Sequence, residues 1–371
     1  MSTAPPRQPP SRRDFLTGGA ALRAVQDAAA QAVDRALDQP AGERPAPSYV
    51  LHVGRPAMAC EFEILLNAGQ HPYGPEVALR ALDLVDQLED QLTVYRSHSE
   101  VSRLNDAAFD EPVLVERRLF ALLELAVRLY GETDGAVDIT AGPLVKVWGF
   151  YRRAGRVPTN DELQAALERT GARHLQLDPA AQTVRFLHPG LEINLGAIGK
   201  GYALDRCAEL MAEEGIENYM LHGGTSSILA RGSRAGSPLD SPGWTVALKH
   251  PLRPDQKLAE IRLRDRALGT SGSGQQFFFH QGRRYGHILD PRTGRPAEAV
   301  LSATVTAPTA AEADALATAF YVLGPIGAKQ YCDAHPEISA LLVEADPRSA
   351  AVKLHEMNSR PGEFSIEGGG K

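Results

Sequence analysis

The segment from Thr309 through Phe320 to Leu323 limits the folds open to this chain. At helical spacing, Leu316, Phe320 and Leu323 mark one face and Ala311, Ala315 and Val322 the opposite one, so the helix is apolar nearly all round. Such a helix has no stable place on a surface and must be enclosed by other elements. It opens on a capping box, Thr309 with Glu312. One carboxylate, Asp314, sits beyond the first turn, where capping of its own helix cannot account for it, and Thr318 shares its face. A buried carboxylate needs a cation or hydrogen-bond donors. Asp314 with Thr318 is hard-oxygen ligation of the Mg²⁺ type; the alternative is that Asp314 caps the N–H groups of a neighbouring loop.

The rest of the chain must supply the enclosure. Its 371 residues, 43% hydrophobic and 23% charged, suffice for one large α+β unit or two packed lobes around a cleft. Strands are expected at Tyr49–Val53 and Cys60–Leu66, joined by a Gly-Pro turn, and as short pieces within Gly171–Leu195. Further strands are expected at Trp244–Leu248, Leu258–Leu263, Gln276–Phe279 and Arg284–Leu289. Helices are expected over Leu79–Leu92, Arg117–Tyr130 and Tyr202–Glu214, the last stopped by Gly215. Runs of strands interleaved with single helices indicate an α+β or mixed-sheet domain, not a βαβ repeat.

Residues 1–47 differ from the body: Pro-rich, then an Ala-rich run from Ala20 to Leu37, then a Pro/Gly stretch to Pro47, which together read as a leader and linker. Ser11 to Leu16, with Arg12-Arg13, looks like a twin-arginine export signal, but Arg23 and Asp27 interrupt the segment that should be apolar, so the envelope side and the cytoplasm both stay open. The domain is expected to span 48–360, with a flexible tail over 361–371. No stretch reaches the roughly 18 uninterrupted apolar residues of a spanning helix. A net charge of −7 with no basic stripe argues against a nucleic-acid surface. Cys60, Cys207 and Cys332 lie far apart with no paired spacing, so they are expected to be packing residues.

Three other stretches carry chemistry. Ile193-Asn194-Leu195-Gly196-Ala197-Ile198-Gly199-Lys200-Gly201-Tyr202 leaves a strand, turns through glycines and enters a helix, with Lys200 at its first turn. Exposed N–H groups, a helix N-terminus and an ammonium suit a diphosphate, although the spacing matches neither standard nucleotide loop, and a tight connection with a solvated lysine is the other possibility. Gly286-His287-Ile288-Leu289-Asp290-Pro291-Arg292-Thr293-Gly294 places His287 at the mouth of a turn, able to donate to a phosphate or shuttle a proton, or else a structural strand histidine. Thr133 to Val145, with Asp134-Gly135-Ala136-Val137-Asp138, suits a ligand-lining loop or an ordinary connection.

Taken in order, these segments resemble the FAD:protein FMN transferase (ApbE) family from about Tyr49 to Val343. The likeness rests on Met58 opening a strand, Leu92-Thr93-Val94-Tyr95 leading to Ser99-Glu100-Val101-Ser102-Arg103-Leu104-Asn105, the Asp-Gly-Ala-x-Asp loop and the Gly-x-x-Gly-Lys-Gly turn. It continues through Gly223-Gly224, Thr270-Ser271-Gly272, His-x-x-Asp-Pro-x-Thr-Gly and Ala-Asp-Ala-Leu-x-Thr. The resemblance implies mixed or antiparallel sheets flanked by helices around a central FAD cleft. It implies FAD contacts at Met58, Tyr95, Ala136, Val137, Asp138, Asn194, Lys200, His287 and Ala297, and Mg²⁺ held by the Ala197 carbonyl, Asp314 and Thr318. Lys200 and His287 are the implied catalytic groups. The implied activity splits FAD, attaches FMN to a threonine or serine of an acceptor flavoprotein such as a membrane electron-transfer subunit, and releases AMP. Three places depart from the family pattern: Ala59-Cys60 follows Met58 where Gly-Thr is usual, Asn194 stands where Asp is common, and Thr225 follows Gly223-Gly224 where Asp is frequent.

Two other functions fit the same residues. Water in place of a protein hydroxyl makes a Mg²⁺-dependent FAD pyrophosphatase, and a flavin-binding protein without catalysis would not need Asp314, Thr318 or His287. Because residues 1–47 lack the apolar pattern of the body, a chain beginning at Ser48 is expected to fold and act like the full chain. Thermal melting and activity of the two side by side check this; early melting or inactivity of the shorter chain would show that the leader packs on the domain.

Overall fold

The computed structural model describes residues 49–272, 274, 276–346 and 351–367. The leader with its Arg12-Arg13 signal lies outside them, as do residues 368–371. The strands are β1 (Val50–Ala57), β2 (Cys60–Asn67), β3 (Val113–Leu114), β4 (Leu175–Asp178), β5 (Thr183–Phe186), β6 (Tyr219–Gly223), β7 (Ser227–Arg231), β8 (Trp244–His250) and β9 (Arg253–Leu263). They continue as β10 (Arg266–Gly272), β11 (Phe277–His280), β12 (Arg283–Gly286), β13 (Leu289–Asp290), β14 (Arg295–Pro296), β15 (Ser302–Ala307), β16 (Ser339–Ala345), β17 (Val352–Met357) and β18 (Phe364–Ile366). The helices are α1 (Gly74–Leu92), α2 (Glu100–Ala107), α3 (Arg117–Glu132), α4 (Gly142–Val147), α5 (Asn160–Glu168), α6 (Gly199–Glu213) and α7 (Ala310–Ala334).

Eight strands form one sheet in the order β1-β2-β6-β7-β10-β15-β16-β17, every neighbouring pair antiparallel. One face carries helices: α7 crosses β10 and β15, α6 crosses β7, and α1 packs on α6. The other face meets the small sheet β18-β9-β8, where Met220, Ile228, Ala230 and Leu268 pack on Trp244, Ile261 and Leu263. Along β7 the two-residue period is visible, since Leu229 joins the helix-side core while Ile228 and Ala230 face Trp244. The class is the expected α+β one, with antiparallel sheets. Double coverage also explains why β7, β10, β15 and β16 escape a search for alternating polarity: both faces of each strand are buried, so small and apolar residues run consecutively.

Several boundaries differ from expectation for local reasons. β1 runs straight through Gly54-Arg55-Pro56, and the turn is Met58-Ala59; Pro56 is tolerated because β1 is the sheet edge and needs no outward N–H bond. Ile193 does not lie in a strand, and only an isolated bridge from Glu192 to Ala141 supports that approach to the glycine turn. The strand expected over Arg284–Leu289 is broken, leaving His287 between β12 and β13. The buried helix runs past Leu323 to Ala334, across a break where Gly324 takes φ 69° and Pro325 follows. The expected tail over 361–371 is partly domain: β18 pairs with β9, and buried Glu363 accepts from the Thr306 hydroxyl at 2.5 Å beside Arg266.

Where α7 sits is decided by two glycines. A Cβ on Gly201 would stand 2.0 Å from the Ala310 carbonyl oxygen, and one on Gly269 would stand 2.3 Å from that of Ala313. Helix α6 and strand β10 therefore touch the backbone of α7 directly, one on each side. Gly201→Ala and Gly269→Ala are each expected to cost about 1–3 kcal/mol of stability, because backbone on both sides must shift. Gly131→Ala, in helix α3 with nothing near its Cβ, is expected to be neutral or to stabilise by about 0.5–1 kcal/mol. Urea denaturation of the three variants tests the ranking; a harmless Gly201→Ala would disprove the close approach.

Candidate active site

The glycine turn ahead of α6 is wound tightly, with the Gly199 N–H donating to the Leu195 carbonyl at 2.7 Å and Tyr202 to Ile198 at 3.0 Å. Gly201 breaks the series. Its N–H, which a continuous helix would give to Ala197, donates instead to Asp314 Oδ2 at 2.7 Å. The Ser227 hydroxyl donates to the same oxygen at 2.9 Å. Asp314 thus caps a neighbouring backbone, as one sequence alternative held, but only through Oδ2. Among the described residues, Oδ1 and the Ala197 carbonyl oxygen accept no hydrogen bond. Thr318 Oγ1 lies one turn along α7, 3.3 Å from the Asp314 carbonyl and 3.1 Å from Ser271 Oγ. No group of three or more His, Cys, Asp or Glu side chains able to hold a metal occurs among the described residues. A carboxylate oxygen, a carbonyl and a hydroxyl are nonetheless the donor set of a hard cation, so these residues fit Mg²⁺. Burial pushes the Asp314 carboxyl pKa up, against the pull of Lys200 and the two donors.

Lys200 is the electrostatic hub. Its Nζ donates to Ser226 Oγ at 2.5 Å, and its charge acts on Asp314, His287 and Cys60 alike. His287 Nδ1 lies 3.0 Å from the Gln276 carbonyl oxygen. A carbonyl can only accept, so Nδ1 carries the hydrogen and Nε2 the lone pair. Burial lowers the His287 pKa below the ordinary histidine value and Lys200 lowers it further, against the Gln276 bond. Both effects favour the neutral imidazole, and among the described residues Nε2 makes no hydrogen bond. Ala297 is tied beside it, its N–H donating to the Ile288 carbonyl at 2.9 Å. Asp290 belongs to the turn instead, holding Arg292 at 2.9 Å, with Gly294 N–H on its carbonyl at 2.7 Å.

The β1-β2 hairpin places Met58 and Cys60. Met58 and Ala59 both adopt left-handed backbone, φ 48° and 60°, as a two-residue hairpin requires. Neither is glycine, so the turn is held from outside: Glu89 Oε2 accepts the Met58 N–H at 2.7 Å. Cys207 and Cys332 pack in the core as expected. Cys60 is half-buried at the site, its thiol pKa raised by burial with Lys200 working against the rise.

The Ala136–Asp138 loop is stitched to the glycine turn by the Asn194 N–H on the Ile139 carbonyl at 2.6 Å. Ala136 and Val137 are buried. Asp138 is folded into its own loop, Oδ1 accepting from the Thr140 N–H and hydroxyl at 2.8 and 2.7 Å, and burial raises its pKa. The Asn194 side-chain oxygen accepts the Gly196 N–H at 2.9 Å. Asn105 explains the Ser99–Asn105 motif: it brackets Ile193 on both sides, at 2.7 and 3.0 Å, while the Ser99 hydroxyl fastens Thr93 at 2.5 Å. Tyr95, 65% exposed, stands 4.7 Å from Tyr151 at the rim of a cleft lined by Val94, Asn105, Lys146, Tyr151 and Asn194.

A description of the ApbE family matches residues 58–342. Among curated proteins the chain is similar to an FAD:protein FMN transferase of Vibrio cholerae, 34% identical over 305 residues, covering 81% of this chain and 89% of that protein. It is also similar to an FAD:protein FMN transferase of Escherichia coli, 36% identical over 256 residues, 67% of this chain and 70% of that protein. Among solved structures, the flavin transferase ApbE from Vibrio cholerae superposes with a TM-score of 0.73 at 32% identity, over 84% of this chain and 98% of that one.

Sequence reasoning missed Asp205. This carboxylate, on the helix that carries Lys200, accepts the N–H groups of Ala310 and Ala311 at 2.8 and 2.9 Å, fixing the start of the helix that carries Asp314. The signal was faint: Asp205 stands in mid-helix beside Leu204 and Cys207, but Arg206 adjoins it and offers a local ion pair as the simpler reading. Burial pushes its pKa up to about 6, against the two N–H donors. Asp205→Ala is expected to cost about 1–3 kcal/mol by leaving two buried N–H groups unpaired. The folded carboxyl binds its proton more tightly than the unfolded one, so its contribution is greatest at low pH and declines as pH rises through about 6. The stability gap between wild type and Asp205→Asn should therefore narrow from pH 4 to pH 7 in thermal melts, and a pH-independent gap would show that the carboxyl titrates normally.

Proposed function

The chain belongs to the ApbE family, and from that premise we propose that it is a Mg²⁺-dependent FAD:protein FMN transferase. It would cleave the FAD diphosphate, attach FMN through a phosphoester to a threonine or serine of an acceptor flavoprotein and release AMP. The observation that carries this is the joint reach of Lys200: one ammonium acts on a buried carboxylate and on a histidine held through Nδ1, and among the described residues Asp314 Oδ1 and His287 Nε2 make no hydrogen bond. That is the equipment for moving a phosphoryl group to a hydroxyl.

FAD would lie with its diphosphate over the Gly196–Lys200 turn. Met58, Asn194 and Ala297 would border the diphosphate and ribityl chain, and Tyr95 with Ala136, Val137 and Asp138 the flavin end. Asp314 Oδ1, Thr318 Oγ1 and the Ala197 carbonyl oxygen would hold Mg²⁺. When bound, the ion supplies neutralisation of diphosphate charge. The Gly201 N–H contributes by leaving that carbonyl free and by fixing the Asp314 rotamer through Oδ2. As the acceptor oxygen bonds to the FMN phosphorus, its proton passes to His287 Nε2. The bond from that phosphorus to the bridging oxygen breaks, and its electron pair leaves on AMP. Lys200 offsets the charge that accumulates on the phosphate oxygens.

Incubation with FAD, Mg²⁺ and a flavin-carrier domain, followed by mass spectrometry, tests the reading: FMN on the acceptor with equal AMP is expected, whereas free FMN without adduct marks a pyrophosphatase. Asp314→Asn should lower the transfer rate by roughly a hundredfold or more, with partial recovery at high Mg²⁺. It should leave Tm nearly unchanged, since Asn keeps an oxygen for the Gly201 N–H. Early melting with normal turnover would overturn the metal assignment.

A further inference from the structure

Beside His287 the molecule presents an exposed aromatic and basic surface that the fold does not call for. Strands β11 and β12 form a hairpin that no third strand joins among the described residues. Its turn, Gln281-Gly282, has φ 50° and 76°, the left-handed pair of a tight hairpin. A lone two-stranded hairpin is marginal in water, and this one is anchored by its inner side chains. Phe278 stacks on Tyr285 with centroids 5.3 Å apart and meets Phe150 at 5.6 Å, while Tyr285 meets Trp148 at 5.6 Å. Phe278 also presses on Gly155, where any Cβ would come within 2.5 Å of the ring.

The alternate residues point the other way. Phe277 is 41% exposed and Phe279 67%, their rings edge to face at 5.6 Å. With the inner face already anchored, these two aromatics add nothing to the core, and neighbouring exposed aromatic rings mark interaction sites.

Charge narrows the partner. Residues 150–156 and 277–286 together hold Arg152, Arg153, Arg156, Arg283 and Arg284 and not one Asp or Glu, in a chain of net charge −7. Arg156 pairs with Glu162, Arg283 pairs with Glu298, and Arg284 lies 4.0 Å over the Phe277 ring. Exposed Arg152 and Arg153 make no ion pair among the described residues.

Position narrows it further. β12 runs directly into His287, and the His287 N–H and Nδ1 both bond to the carbonyl of Gln276, the residue ahead of β11. A chain laid along this hairpin is held in fixed register to the imidazole. An unpaired strand edge, moreover, offers backbone N–H and C=O groups to an extended segment.

We propose that the β11-β12 hairpin and the adjoining Phe150–Arg156 segment dock the acceptor protein, through an extended acidic stretch that carries the hydroxyl to be modified and an apolar residue that covers Phe279. This rests on the transferase reading above. Phe279 supplies the apolar contact, Arg152 and Arg153 the charge, and the strand edge the alignment.

The test uses the full chain and two labelled peptides of about a dozen residues, each with one threonine and one leucine, the first with aspartates around the threonine and the second with lysines in their place. By fluorescence anisotropy at low salt, wild type is expected to bind the aspartate peptide at least about tenfold more tightly than the lysine peptide. Phe279→Ser and Arg152→Glu, both at exposed positions, should each weaken that binding by about fivefold or more while FAD affinity stays unchanged. Equal affinity for the two peptides, or variants that bind like wild type, overturns the proposal. Sedimentation that finds a dimer dissolved by Phe279→Ser would give the face to a second copy of the chain and overturn it too. FMN transfer to a flavin-carrier domain is scored on the same wild-type sample: its absence beside hairpin-dependent peptide binding refutes the transferase reading and not the docking surface.

Discussion

The hydrogen bond from the Gly201 N–H to Asp314 Oδ2, 2.7 Å long and buried, is the contact on which the site is built. It forms only because α6 meets α7 without a side chain between them, and that is possible only with glycine at 201. One bond then has three effects. It fixes the Asp314 rotamer, releases the Ala197 carbonyl from its helical partner, and holds the helix with Lys200 in register with the helix of Thr318. Gly269 performs the matching service on the opposite side, letting β10 approach the Ala313 carbonyl so that Ser271 reaches Thr318. A helix apolar nearly all round is the natural occupant of such a place, because sheet, α6 and α3 leave it almost no face to water.

Electrostatics follows from that burial. A carboxylate enclosed as Asp314 is would take up a proton if left alone, and Lys200 and two donors oppose that. The same ammonium adds to the lowering of the His287 pKa that burial begins, so one charge bears on both groups. Asp205 adds to the negative field around Asp314 while tying the start of α7 to α6. The two helices are thus joined twice by carboxylates, once in each direction, and neither carboxylate is exposed.

Two of the three departures from the expected pattern, Ala59-Cys60 and Asn194, sit where the structure can absorb them. Ala59 takes a left-handed conformation that glycine would adopt more easily, and Glu89 steadies that turn through Met58. Asn194 keeps an oxygen for the Gly196 N–H, the bond an aspartate would also make. Cys60, where the resemblance leads one to expect threonine, keeps a half-buried thiol on which the Lys200 charge acts.

The sequence by itself determined a good deal here. Periodicity is a local property, so α1, α3, α6 and the burial of α7 were all legible, and the unexplained Asp314, Lys200 and His287 stood out against their neighbours. Strands β7, β10, β15 and β16 were not legible, because a strand covered on both faces loses the alternation that announces it. Nor was the choice between Asp314 as cap and Asp314 with an oxygen to spare, which depends on where the Gly201 N–H points. Asp205, Glu89 and Asn105 each hold a backbone group between 31 and 105 residues away. Spacing along a chain cannot encode such partners; only packing brings them together, and with them the site.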